Sequence, residues 1–224
     1  MKNIVITGTS SGIGLELVKL YAKKNCKILS LSRSPSLINN INNVKHIRFD
    51  ITNQNSIDEI RSIIENEYKV VDILINNAGK LINKAFLDIT KEDYISIFDV
   101  NFIGVTNLIK NVFPFFNKKS HVVNISSIGG IIGSLKFKGL AAYSSSKGAL
   151  NILTEVLAEE FKESGPYFNS LCLGSVKTKM LNKAFPGYKA QVDPKDMAKF
   201  IFDFANNGTK YFNGKVIPVS LSNP

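Results

Sequence analysis

Apolar positions along the chain follow two alternating rhythms. Short runs with strand character fall at Asn3–Thr7, Lys27–Ser32, Lys45–Phe49, Val71–Asn76, His121–Ser126, Tyr167–Leu173 and Lys215–Val219. Between them, apolar residues recur with helical spacing over about 12–24, 55–67, 90–117, 143–164 and 194–206. Asn53 and Asn55 precede the second of these, Thr90 the third, and Asp193–Pro194 opens the last, all suitable helix starts. Runs such as "NIVIT" and "DILIN" are apolar on both faces, as strands buried between two helix layers must be. The alternation therefore predicts an α/β fold, a doubly wound parallel sheet of about seven strands with right-handed crossovers. With no repeat, low-complexity tract or linker, residues 1–224 are expected to form a single domain.

Composition narrows the setting. Of 224 residues, 44% are hydrophobic and 21% charged, which suits a folded core rather than disorder. No apolar run approaches the length of a membrane span, and the first strand begins at Asn3, too early for a secretory leader. The two cysteines, Cys26 and Cys172, are no disulfide framework and read as ordinary buried thiols. A cytoplasmic location is the expectation. The net charge of +10 invites a nucleic-acid reading, but the lysines are scattered along the chain and no nucleic-acid module is present. They read as a solvated surface, or as a preference for anionic ligands. His46 and His121 have no partners at ligand spacing, so no metal is expected.

Chemistry enters with "TGTSSGIG", Thr7–Gly14, placed after one strand and before a helix. Gly8 suits a tight turn, Gly12 lets the backbone approach a pyrophosphate, and Gly14 lets helix and strand pack closely. The free N–H groups around Ser10, Ser11, Gly12 and Ile13 then face phosphate oxygens, aided by the helix dipole. A purely structural glycine turn is the bland alternative. The spacing, with "NNAG" at Asn76–Gly79 and "YSSSK" at Tyr143–Lys147 downstream, resembles the short-chain dehydrogenase/reductase family over almost the whole chain. The resemblance implies a Rossmann-type fold, a nicotinamide cofactor and hydride transfer at a carbonyl or alcohol carbon.

Cofactor choice rests on "SLSRS". An NAD site would place an acidic residue at the end of the second strand to hold the ribose hydroxyls. Here Ser32 stands there and Arg33 follows, a guanidinium able to clamp a 2′-phosphate, with the hydroxyls of Ser32 and Ser34 assisting. This favours NADP(H) over NAD(H), although Arg33 also reads as a solvated loop residue. Small residues at Asn77, Ala78 and Gly79 leave room for a ribose. The resemblance further implies an adenine contact at Asp50, with Ile51 beside it, and cofactor contacts at Gly174, Val176 and Thr178. Taken alone, Asp50 reads equally as a turn residue.

The catalytic expectation centres on Tyr143 and Lys147, four apart and so on one helix face. A free phenol titrates near about 10, and a nearby ammonium is expected to lower that value. Lys147 can also hold the nicotinamide ribose. Ser127 follows the fifth strand and can bind the substrate oxygen. The resemblance assigns Asn101 to a water-mediated proton relay, whereas its alternative is a satisfied core asparagine. Reduction of a carbonyl, with Tyr143 as proton donor, is the favoured direction.

Three departures from the family pattern bear on the substrate. Ser127 and Tyr143 are sixteen positions apart, longer than usual, with the extra residues expected in 133–141. Leu173 stands where the family has Pro. The substrate lid, around 179–193, is short enough for one small helix and a turn, which implies an open pocket or one completed by a partner subunit. Phe137, Phe185 and Tyr188 are candidates to line it, or surface aromatics. A 3-oxoacyl-carrier-protein reductase, whose acidic partner would suit the positive charge, is the competing enzyme reading. A silent NADP-binding regulator or scaffold is the reading from another class. Family habit implies a homodimer or homotetramer packed through the helices near 90–117 and 143–164, with no nucleic-acid or membrane partner.

Overall fold

The computed structural model describes residues 1–34 and 41–221. Seven parallel strands among them form one sheet, in the order β3-β2-β1-β4-β5-β6-β7. They are β1 Lys2–Thr7, β2 Cys26–Ser32, β3 Val44–Arg48, β4 Ile73–Asn76, β5 His121–Ser127, β6 Tyr167–Leu173 and β7 Lys215–Val219. Period-two alternation splits the core into two layers. Ile4 and Ile6 of β1 face Leu17, Val18 and Tyr21 of helix α1 (Gly12–Ala22) and Ile201 of α7 (Pro194–Asn207). Val5 faces the other layer, with Ile60 of α2 (Gln54–Ile63), Leu108 of α4 (Gly104–Val112) and Leu150 of α5 (Ala141–Glu160). The strand order reverses between β1 and β4, which opens a crevice at the carboxyl ends of the strands.

Local chemistry sets the helix starts. Asn53 accepts the Ser56 N–H at 3.1 Å to cap α2. Thr90 and Asp93 form a reciprocal capping box on α3, Lys91–Phe98. The segment expected as one helix over 90–117 is interrupted by a π-helical turn, Asp99–Ile103, between α3 and α4. Close packing accompanies the break: a Cβ on Gly104 would stand 2.6 Å from the Ile51 carbonyl oxygen. The wider turn presents Asn101 inward, fully buried. Short α6, Lys179–Ala184, follows β6, capped by Thr178 accepting from the Leu181 N–H at 3.2 Å.

Among the described residues no helix is long and apolar enough to cross a membrane. Both cysteines are buried free thiols.

Candidate active site

A cavity of about 440 Å³ crosses the carboxyl ends of the strands, from Asp50 after β3 to Gly174 after β6. Its floor is the turn between β1 and α1. Gly8 (φ +72°) and Gly12 (φ +58°) take left-handed backbone conformations that favour glycine. Ser10, Ser11, Gly12 and Ile13 line the cavity, and the Ser11 side chain leaves the start of α1 uncapped. Gly14 serves packing instead: a Cβ there would stand 2.3 Å from the Gly8 carbonyl oxygen. Thr7, which the sequence reading passed over, ties this turn to "NNAG". Its buried hydroxyl accepts the N–H groups of Asn77 (3.0 Å) and Ala78 (2.9 Å), while Asn77 Nδ2 donates to the carbonyls of Thr7 and Gly8. A threonine closing an apolar strand gives no sign of this; only the pairing of β1 with β4 does.

At the β2–β3 end, Arg33 is exposed and lines the cavity, and no carboxylate pairs with it among the described residues. Ser32 differs from its expected role. Its hydroxyl donates to the Ser34 carbonyl (2.8 Å) and meets His46 Nε2 (3.0 Å), so it is already engaged. Asp50 Oδ1 accepts both the N–H and the hydroxyl of Thr52, closing a small turn. The Thr52 N–H is the main cause holding the Asp50 carboxyl below its ordinary range, with the Thr52 hydroxyl and the Arg33 charge adding to it against burial. Ile51 also lines the cavity.

Ser127 closes β5, and Tyr143 and Lys147 stand on the first turns of α5. All three share one wall of the cavity. Lys147 is buried, donates to the Ile125 carbonyl at 2.8 Å, and holds its Nζ 5.9 Å from the Tyr143 ring centroid. The Ser127 hydroxyl accepts the Gly129 N–H at 3.2 Å. The expected depression of the Tyr143 pKa by Lys147 does not hold. Burial pushes the phenol up to about 12, opposed by its hydrogen bond with Ser127. Burial also brings Lys147 down to about 8.

Asn101 is fully bonded on three sides. Oδ1 accepts the Lys80 N–H at 2.8 Å, and Nδ2 donates to the Lys80 carbonyl (2.9 Å) and to Ser146 Oγ (3.0 Å). Ser146 in turn donates to the Tyr143 carbonyl at 2.7 Å. Asn101 therefore couples the loop following "NNAG" to the first turn of α5. A Cβ on Gly79 would lie 3.6 Å from Asn101 Oδ1 and 3.8 Å from Lys147 Nζ, so these three residues converge.

The remaining wall comes from segments of weak pattern. Gly174, Val176 and Thr178 line the cavity after β6, as do Phe137, Phe185 and Tyr188. Leu81, Leu140, Met180 and Leu181 join them without any sequence signal beyond being apolar. Three loops meet at this end. Lys84 donates its N–H to the Gly139 carbonyl (3.0 Å), and Asn83 Nδ2 donates to the Ala184 carbonyl (2.8 Å). No group of three or more His, Cys, Asp or Glu suited to a metal occurs among the described residues.

The short chain dehydrogenase family pattern matches residues 2–189. The chain belongs to the short-chain dehydrogenase family. Its members are oxidoreductases, and this chain is an enzyme of that class. It is 28% identical over 226 residues to an uncharacterized oxidoreductase of Staphylococcus aureus (strain N315), an alignment covering 97% of this chain and 96% of that protein. Among solved structures, ElxO with NADP bound superposes with a TM-score of 0.83 at 26% identity, over 98% of this chain and 97% of that one. A 4-hydroxyisoleucine dehydrogenase mutant complexed with NADH and succinate shares the fold, with a TM-score of 0.87 at 24% identity and the same coverage. The seven-stranded parallel sheet is thus the family's architecture, and the cavity occupies its ligand-binding edge.

Proposed function

We propose that the chain is an NADPH-dependent carbonyl reductase in which Tyr143 is the general acid. One observation carries the reading: Ser127, Tyr143 and Lys147 share one wall of a cavity whose opposite end carries Arg33, which forms no salt bridge among the described residues. The NADP-bound relative at 26% identity supports a nicotinamide cofactor.

The residues present fit such a cofactor. The turn at Gly8–Ile13 offers backbone N–H groups to a pyrophosphate, and Gly79 leaves space beside Lys147 that a side chain would fill. Arg33 is the group that would bind a 2′-phosphate, with Ser34 beside it; Ser32 shapes that turn through its own hydrogen bonds. Asp50 and Ile51 would bound the adenine, and Gly174, Val176 and Thr178 the nicotinamide end.

When bound, the reduced nicotinamide supplies the hydride. Tyr143, neutral far above physiological pH, gives its proton to the carbonyl oxygen. The Ser127 hydroxyl donates to the same oxygen and limits the charge that develops there. Lys147 holds an ammonium beside the phenol and returns the proton through water, with Asn101 keeping that corner of the wall in register. Helix α6 and the turn after it, within 179–193, form a short lid.

Assembly through α3–α5 is part of this reading. Ile95, Ile103, Ile152 and Val156 are each about half exposed on these helices, as residues at a subunit contact would be in the free chain. Sedimentation of the purified protein tests it. The activity is tested by NADPH oxidation against a panel of carbonyl compounds, one of them an acyl thioester. Turnover abolished by Tyr143→Phe supports the reading; a panel without any turnover sinks it.

A further inference from the structure

The segments at one end of the cavity are rich in lysine. Three segments build the cavity's substrate end: residues 80–89, 131–141 and 174–192. They hold eight of the chain's 28 basic residues and one of its 18 acidic ones, Asp88, so seven of the ten net positive charges lie on the segments that build this end of the cavity. Lys84 is paired with Asp93 and Lys177 with Asp193. Among the described residues, Lys138, Lys179, Lys183 and Lys189 have no ion-pair partner, and all four are exposed. Lys179 itself lines the cavity; Lys138 follows Phe137 in the chain, Lys183 stands two before Phe185, and Lys189 follows Tyr188 and lines the adjoining hollow that shares Gly174, Ser175 and Tyr188.

The wall between this rim and Tyr143 has a different character. Leu81, Phe137, Leu140, Met180 and Phe185 make it apolar. The one carboxylate lining the cavity is Asp50, at the β3 end. A negative group directly beside the reacting carbonyl would meet hydrocarbon there. A negative group separated from the carbonyl by an apolar stretch would meet the lysines.

We propose that the substrate is an anionic carbonyl compound, with an apolar spacer between the carbonyl at Tyr143 and a carboxylate or phosphate held at the Lys138–Lys183–Lys189 rim. This rests on the carbonyl-reductase reading above and adds the substrate class. A one-signed rim around an apolar cleft concentrates ligands of opposite charge and speeds their encounter, in a way that salt weakens.

The test compares 9-oxodecanoate with its methyl ester, using the full-length protein saturated with NADPH. The acid should exceed the ester in kcat/KM by on the order of tenfold at low ionic strength, with the advantage shrinking as salt rises. Reversing three rim charges together (Lys138→Glu, Lys183→Glu, Lys189→Glu) should abolish the advantage. Reversing Lys23, Lys118 and Lys119, exposed at the opposite end of the strands, should preserve it and controls for net charge. Equal kcat/KM for acid and ester, or an advantage that survives the rim reversal, overturns the inference and leaves the reductase reading standing. Should neither compound turn over, thermal melting with NADPH decides. Stabilisation by the acid that the rim reversal removes keeps the anion site and leaves the reductase reading to the carbonyl panel. Absence of any effect of the acid on melting rejects the anion site.

Discussion

Lys147 Nζ lies 5.9 Å from the centroid of the Tyr143 ring but donates its hydrogen bond to the Ile125 carbonyl, at 2.8 Å. The two residues thus share a helix face without sharing a proton directly. Burial acts on both, raising the phenol and lowering the amine. Burial thereby favours the uncharged form of each.

Removing that acid is the most direct test. Tyr143→Phe should lower kcat by about 10²–10⁴-fold, the usual contribution of a positioned general acid. NADPH affinity, followed by cofactor fluorescence, should change little. Activity near the native level would remove Tyr143 from the reaction.

The titration of Lys147 gives a pH signature. The free protein has this amine near 8 and Tyr143 near 12, so kcat/KM for reduction should be level below about pH 8 and fall above it as the ammonium is lost. Tyr143 remains protonated across that window and contributes no limb of its own. A profile flat to pH 10 would mean that the Lys147 charge is not used.

Cofactor selection turns on Arg33. Loss of a charge-assisted hydrogen bond removes roughly 1.5–3 kcal/mol, so Arg33→Ala should weaken NADPH by about ten- to a hundredfold. NADH, which lacks the 2′-phosphate, should be nearly unaffected. Equal weakening of the two would transfer selectivity elsewhere.

Two glycines separate backbone strain from close packing. Gly133 has φ +81° and open space where a Cβ would go, so Gly133→Ala should cost only left-handed strain, about 1–2 kcal/mol. Gly8 has φ +72°, and its Cβ would stand 2.8 Å from Ala78 Cα. Gly8→Ala should therefore lose clearly more stability in urea unfolding and disrupt the "NNAG" junction. Equal losses would argue against the tight contact.

Acid should weaken the fold through His121. This residue is 1% exposed, with Nδ1 3.0 Å from the Ala205 carbonyl and Nε2 3.0 Å from Asn169 Nδ2. The neutral ring satisfies both contacts as donor at Nδ1 and acceptor at Nε2, and burial brings its pKa down to about 4. In the unfolded chain it titrates near about 6.5. Between those values the unfolded state binds a proton that the folded state refuses, so stability falls as pH drops through the window, by up to about 3 kcal/mol. Urea midpoints at pH 7 and pH 5 should differ less in His121→Gln than in the native chain; an unchanged difference would place the acid sensitivity elsewhere.

Much of the fold is legible in the sequence. Tyr167–Leu173 and Lys215–Val219 are strands with the expected limits, and Thr90 caps its helix, because period, propensity and capping act over a few residues. The helical segment expected over 90–117 is helical throughout 91–115 but widens to a π-helical turn at Asp99–Ile103, and Gly104 after it packs against the carbonyl of Ile51, a residue distant in sequence. The same holds for Thr7, whose two acceptor bonds depend on β4 lying beside β1.

By itself, the sequence determined the alternation of strands and helices, the order of the glycine turn, "NNAG", Ser127 and Y-x-x-x-K, and the absence of an acid at the end of β2. These are local patterns, and local chemistry writes them. Tertiary structure decided the rest: that burial raises the pKa of Tyr143, that the Ser32 hydroxyl is already engaged, and that three lysine-rich segments meet at one end of the cavity. Desolvation and electrostatic potential depend on distances between residues far apart in the chain, which only the packed fold fixes.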